Sequence, residues 1–204
     1  MIFLTSNGLS SEQLIDEFKK ATFNKGKKAA VIPTAMERDK NKDEYIQETL
    51  DELSSYGFTP ECFYLGMDEN EKLLDYDLIY ICGGNVFYLM QVIKQCSAQE
   101  IIEKASKSAI IVGVSAGSLI MQKDLVLIKD LIPRMNKRVK LKDLTALNLT
   151  NGIEHLPHKT RYINTIDAFE KRVATYQRKT GNKVFCLEDG QGIIIDGDNV
   201  KFIM

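Results

Sequence analysis

The chain has 204 residues, of which 44% are hydrophobic and 27% charged, and its formal net charge is −1. That length suffices for one medium domain with a real core, and residues 1–204 are expected to fold as a single unit. The near-neutral balance argues against nucleic acid as the main partner, because a phosphate-binding face needs a basic excess. The apolar start at residues 1–5 meets Ser6, Asn7 and Gly8 instead of continuing as a signal sequence, and no apolar run approaches a membrane span. The expectation is a cytoplasmic protein with no membrane partner. Cys62, Cys82, Cys96 and Cys186 are far apart with no C-x-x-C pair, as scattered reduced thiols would be.

In chain order, residues 1–5 (MIFLT) are predicted as a strand. Ser10 or Ser11 caps the helix that follows, with Leu14, Ile15 and Phe18 on one face. Residues 28–33 (KAAVIP) form a second strand. A helix is expected from about 43 to 56, with Tyr45, Ile46, Leu50 and Leu53 at helical spacing and Gly57 as its stop. Strands follow at 61–65 and 77–82 (DLIYIC), helices at 87–94 and 98–105, and a wholly apolar strand at 109–114 (AIIVGV). Runs that are apolar at every position suit strands covered on both faces, as in a parallel sheet. Their alternation with amphipathic stretches predicts an open α/β sheet with helices on both sides. Ligands of such sheets sit at the carboxyl ends of the strands.

The C-terminal part has a different pattern. Residues 163–180 are predicted as one long helix, with Ile166, Phe169 and Val173 on one face and Gly181 as its stop. Short strands are expected at 184–187, 193–195 and 200–203, with a hairpin turn at Gly197-Asp198-Asn199. This part is expected to be antiparallel and to close the domain.

Two glycine-bearing turns follow buried strands. Gly113-Val114-Ser115-Ala116-Gly117 matches G-x-S-x-G between a strand and a helix-like run, the setting of a nucleophile elbow. There a sharp turn lifts the serine out of the sheet, and the N–H of Ala116 is placed to bind a developing oxyanion. Gly83-Gly84-Asn85 is a βα turn with Asn85 as helix cap, and its backbone is a candidate second oxyanion donor. It fits neither dinucleotide nor Walker patterns. The base must come from His155 or His158, the two histidines of the chain, in Glu154-His155-Leu156-Pro157-His158. Asp124, Asp130 and Asp143 lie between serine and histidine as candidate acids. Pro157 breaks the helical spacing that an H-x-x-H metal pair would need, and no third ligand stands nearby, so no metal is expected.

Together these motifs resemble the peptidase E (aspartyl dipeptidase) family. Ile81-Cys82-Gly83-Gly84-Asn85-Val86-Phe87-Tyr88-Leu89 is similar to its strand–GGN–helix signature. Gly113-Val114-Ser115-Ala116-Gly117-Ser118 is similar to its elbow, with Ser118 where the family often has alanine. Leu156-Pro157-His158 is similar to the segment holding its histidine, and Leu4-Thr5-Ser6 and Val31-Ile32-Pro33-Thr34-Ala35 also match in kind. The resemblance spans nearly the whole chain. It implies a three-layer α/β sandwich with a mostly parallel central sheet, like the class I glutamine amidotransferase domain, and a C-terminal antiparallel hairpin. It also implies Ser115 as nucleophile, His158 as base, Asp130 as acid, Gly84 and Ala116 as oxyanion donors beside Gly83 and Asn85, and no cofactor. The implied substrate is a short peptide, an Asp-X dipeptide first, cleaved by a monomer or homodimer. Serine at the elbow, where the amidotransferases have cysteine, disfavours glutaminase chemistry. The stretch 125–149 is basic, with Lys129, Arg134, Lys137, Arg138, Lys140 and Lys142; most of these lysines are expected to be solvated charged surface, with some power to attract an acidic group. Cleavage of another aspartyl bond, as in cyanophycinases, and a non-catalytic binding protein on the same scaffold are the rival expectations.

Overall fold

The apolar runs assemble into a central sheet in the computed structural model, which describes residues 1–24, 26–36 and 41–204. Strands β1 (Ile2–Thr5), β2 (Lys28–Ile32), β3 (Thr59–Cys62), β4 (Leu78–Ile81) and β5 (Ile110–Val114) alternate with α1 (Glu12–Thr22), α2 (Lys42–Ser55), α3 (Val86–Gln95) and α4 (Gln99–Ala105). The second half contains α5 (Ala116–Leu119), α6 (Val126–Leu131), α7 (Pro133–Asn136), β6 (Glu154–Leu156), α8 (Lys159–Thr165) and α9 (Phe169–Thr180). It ends with β7 (Val184–Cys186), β8 (Gly192–Asp196) and β9 (Asn199–Ile203). The main sheet has seven strands in the order β3-β2-β4-β5-β1-β8-β9. The first five are parallel, and β8 and β9 close the edge antiparallel.

Strict alternation along each strand divides the interior into two cores. Phe3, Val31, Leu78, Tyr80 and Val112 face a layer formed by α1 and α2, where Leu14, Phe18 and Leu53 are buried. Leu4, Ile32, Ile79, Ile81 and Ile111 face the layer of α3 to α6, where Phe87, Met90, Ile102 and Ile128 are buried. Each fully buried large side chain contributes about 1.5–3 kcal/mol. Ser11 caps α1, its side chain accepting from the Leu14 N–H, which settles the choice between the two serines.

Two expectations need correction. The predicted long helix over 163–180 is broken: Ile166 is extended (φ −114°, ψ 117°) and Ala168 is left-handed (φ 49°). On a continuous helix Tyr162 and Phe169 would lie about 10 Å apart along the axis; the break brings their rings to 5.9 Å. The strand at 184–187 does not join the antiparallel closure, because β7 pairs parallel with β6 in a separate two-stranded sheet. The sequence pattern had given no sign of β6, which is only three residues long. In 125–149 the charged residues are exposed, as expected of solvated surface, while Leu127, Ile128 and Leu131 of α6 and the following Ile132 are buried.

Candidate active site

Strands β4 and β5 are neighbours, with Ile81 opposite Gly113, so both glycine-bearing turns leave the sheet at the same edge. Ser115 lies immediately after β5 at φ 50°, ψ −104°, a strained region for a residue with a side chain. Its N–H is anchored to the Thr5 carbonyl at 3.0 Å. The flanking glycines follow from close approach. A Cβ on Gly113 would lie 2.6 Å from the Gly117 carbonyl oxygen, and one on Gly117 would collide with the Ile81 carbonyl. Gly83 faces Ser115, where an added Cβ would come within 3.3 Å of the serine Cβ. Among the described residues, neither the Gly84 nor the Ala116 N–H has a hydrogen-bond acceptor in the protein. Asn85 is occupied structurally. Its Oδ1 accepts from the Phe87 and Tyr88 N–H groups, capping α3, and its Nδ2 donates to the Met135 carbonyl at 3.0 Å, tying down α7.

His158 approaches from the other side. It follows Pro157 in a left-handed conformation (φ 55°, ψ 44°) just before α8, and its Nε2 lies 3.0 Å from Ser115 Oγ. Its Nδ1 lies 2.7 Å from Asp189 Oδ1. A carboxylate at that distance fixes Nδ1 as the protonated nitrogen, which leaves Nε2 to accept the serine proton. Ser6 ties this side together: its hydroxyl donates to Asp189 Oδ1 at 2.6 Å and accepts the His158 N–H at 2.8 Å. Burial pushes the Asp189 carboxyl up, but the hydrogen bonds from Ser6 and His158, helped by the charges of His158 and Arg161, hold it below the usual carboxylate value. The ring of Tyr162 meets that of His158 edge-on at 6.4 Å.

The aspartate on the imidazole is therefore not Asp130. Asp130 is exposed on α6, its backbone carbonyl bonded to Arg172 of α9. Asp124 caps Val126 N at 2.9 Å, and Asp143 pairs with Lys94 at 2.6 Å. Asp189 follows the histidine in sequence, outside the serine-to-histidine interval that holds Asp124, Asp130 and Asp143. It arrives because β8 runs antiparallel to β1, pairing Gly192 with Thr5, so the loop entering β8 lies beside the carboxyl end of β1. The acidic Glu188-Asp189 step just before the last hairpin was the available signal. His155 is fully buried and bonds Ser118, not Ser115 Oγ.

A serine hydroxyl in line with an imidazole and a carboxylate is the constellation of nucleophilic hydrolases. The sequence model of Peptidase family S51 matches residues 2–203. The chain belongs to Peptidase family S51. Two uncharacterized peptidases are similar over most of their length. The one from Listeria monocytogenes is 29% identical, covering 98% of this chain and 96% of its own. The one from Listeria innocua is 27% identical, covering 98% and 94%. A solved structure of a candidate peptidase E protein from Listeria monocytogenes superposes with a TM-score of 0.74 at 26% identity, covering 99% of this chain and 96% of that one. A peptidase from an acI-B1 actinobacterium shares the fold, with a TM-score of 0.69 at 17% identity and 99% and 86% coverage. The chain is thus a peptidase of the S51 type.

In this S51 peptidase the serine opens onto a cleft of about 540 Å³, lined among others by Ser6, Gly84, Ser115, Arg134, His158 and Arg161. Two guanidinium groups make that cleft basic. Among the described residues, no group of three or more His, Cys, Asp or Glu side chains is placed to hold a metal, and no helix is long and apolar enough to cross a membrane.

Proposed function

We propose that the protein is a serine peptidase that hydrolyses short peptides, above all dipeptides with N-terminal aspartate, through an acyl-enzyme. The observation carrying this reading is the line from Ser115 Oγ through His158 to Asp189, at 3.0 and 2.7 Å. His158 Nε2 takes the Ser115 proton as Oγ bonds to the scissile carbonyl carbon. The Gly84 and Ala116 N–H groups donate to the resulting oxyanion. Asp189, in the role expected of Asp130, accepts Nδ1–H and stabilises the imidazolium. The C–N bond then breaks, and the amine leaves with the proton from His158. Water, giving a proton to His158, bonds to the acyl carbon; the ester C–O bond then breaks, and His158 returns the proton to Ser115 Oγ. The Ser115, His158 and Asp189 side chains, two backbone N–H groups and water take part in these steps.

Arg134 and Arg161 support the acidic preference, since a carboxylate in the cleft meets the positive charge of two guanidinium groups. The cleft volume suits a small ligand. The test is hydrolysis of dipeptides carrying Asp, Glu, Ala or Lys first, by wild type and Ser115→Ala, beside labelling with a serine-directed phosphonate. Rapid cleavage of the Asp compounds, abolished in the variant, is the expected result. Labelling without cleavage would remove the substrate assignment and keep the hydrolase. No labelling at all would point to the binding-protein reading.

A further inference from the structure

A second histidine, wholly buried and absent from the cleft lining, is not used by the proposed mechanism. His155 is 0% exposed, and its Nε2 is 2.9 Å from Ser118 Oγ. Ser118 has one hydroxyl proton, and Ser118 Oγ lies 2.8 Å from the Ser115 carbonyl, which can only accept. The proton of Ser118 therefore goes to that carbonyl, and the contact with His155 must be a donation from the ring. This fixes His155 as the neutral Nε2–H tautomer. Its bare Nδ1 is buried without a partner among the described residues.

We propose that His155 is a positioning residue: through Ser118 it braces the carbonyl of the nucleophile, and through its own strand it sets the reach of the base. The proposal rests on Ser115 and His158 acting as assigned above. Two geometric facts carry it. The Ser115 carbonyl, in a strained residue, accepts from Ser118 N at 3.1 Å, Leu119 N at 3.0 Å and the Ser118 hydroxyl, so the third bond directly opposes relaxation of the turn. Furthermore, β6 carries His155 and runs into Pro157 and His158. The His155 N–H is bonded to Gln122 Oε1 at 2.7 Å, just beyond α5. The segment holding the base is thus bolted twice to the segment holding the nucleophile, three residues before the two meet at 3.0 Å. A leucine of similar bulk would fill the space without a buried bare nitrogen, so the ring's specific contribution is its donor.

Ser118→Ala removes the acceptor, His155→Leu removes the donor, and His155→Gln restores a donor at nearly the same place. The measurements are phosphonate labelling rate and kcat per labelled site. In the first two variants both are expected to fall about ten- to a hundredfold, the scale of a small misplacement, with KM within about twofold. In His155→Gln most of the loss is expected to be recovered. Wild-type labelling by Ser118→Ala, or a glutamine no better than leucine, would overturn the proposal. Nitrogen-15 imidazole NMR of the wild type gives an answer independent of turnover. His155 is expected to hold the Nε2–H tautomer from about pH 8 to about pH 5 while an ordinary histidine titrates. The opposite tautomer, or titration in that window, would refute the brace. A wild type that does not label would remove the hydrolase reading alone, and the tautomer would still decide whether the hydrogen-bond chain exists.

Discussion

The two walls of the cleft are held in different ways. On the nucleophile wall, the backbone does the work: parallel pairing of β4 and β5, two glycines pressed against carbonyls, and a strained Ser115. On the opposite wall, side chains do it. His158 and Asp189 leave short loops and are tied by the Ser6 hydroxyl, and the Asp189 side chain is 55% exposed. Geometry imposed by the backbone leaves a mark in neighbouring residues of the sequence. Geometry imposed by side chains from separate strands leaves almost none.

Substitutions can sharpen that contrast. Ser115→Ala is expected to leave the fold intact and lower kcat by about 10⁴- to 10⁶-fold, measured on an Asp-X dipeptide. Asp189→Asn keeps the shape but favours the wrong histidine tautomer, so kcat should fall about 10⁴-fold with little change in Tm. Retained activity there would mean that another carboxylate serves.

Ser6→Ala should cost about ten- to a hundredfold in kcat, since one hydroxyl positions both His158 and Asp189. It should also shift the acid side of the stability profile. A carboxyl held low in the folded state stabilises it above the unfolded pKa, and that stabilisation is lost as pH falls through the folded value. Losing the Ser6 donor raises the folded value of Asp189 toward the ordinary one, so its share of stability shrinks and fails at higher pH. Thermal melts across pH 2 to about 6 would read this. The smallest effect belongs to Asp130→Asn, expected within about twofold of wild type in kcat because that side chain is exposed on α6.

Legibility in the sequence followed the same division. The alternating two-faced strands, the α/β class, the α3 cap and the G-x-S-x-G turn could be read from adjacent residues, because sterics and periodicity act locally. Residue types alone left both histidines open and only the resemblance pointed to His158; burial separates them, since His155 sits wholly inside while His158 lines the cleft. Asp189 was missed because its proximity is created by β8 returning antiparallel beside β1, a pairing across most of the chain. The break between α8 and α9 was missed because Ile166, Phe169 and Val173 keep helical spacing through it, and only the Tyr162–Phe169 contact shows why the axis turns.

The buried His155 also makes the protein a poor tenant of acidic surroundings. Burial pushes its imidazole down to about 3 from an ordinary 6.5. Between those values the unfolded chain takes up a proton that the folded chain refuses, so each pH unit below the ordinary value costs about 1.4 kcal/mol of stability. The full benefit is present above 6.5 and drains away toward 3. An ordinary domain holds only about 5–15 kcal/mol in reserve. The same ring proposed to steady the elbow at neutral pH therefore draws on that reserve as the pH falls, in addition to whatever the carboxylates lose on protonation.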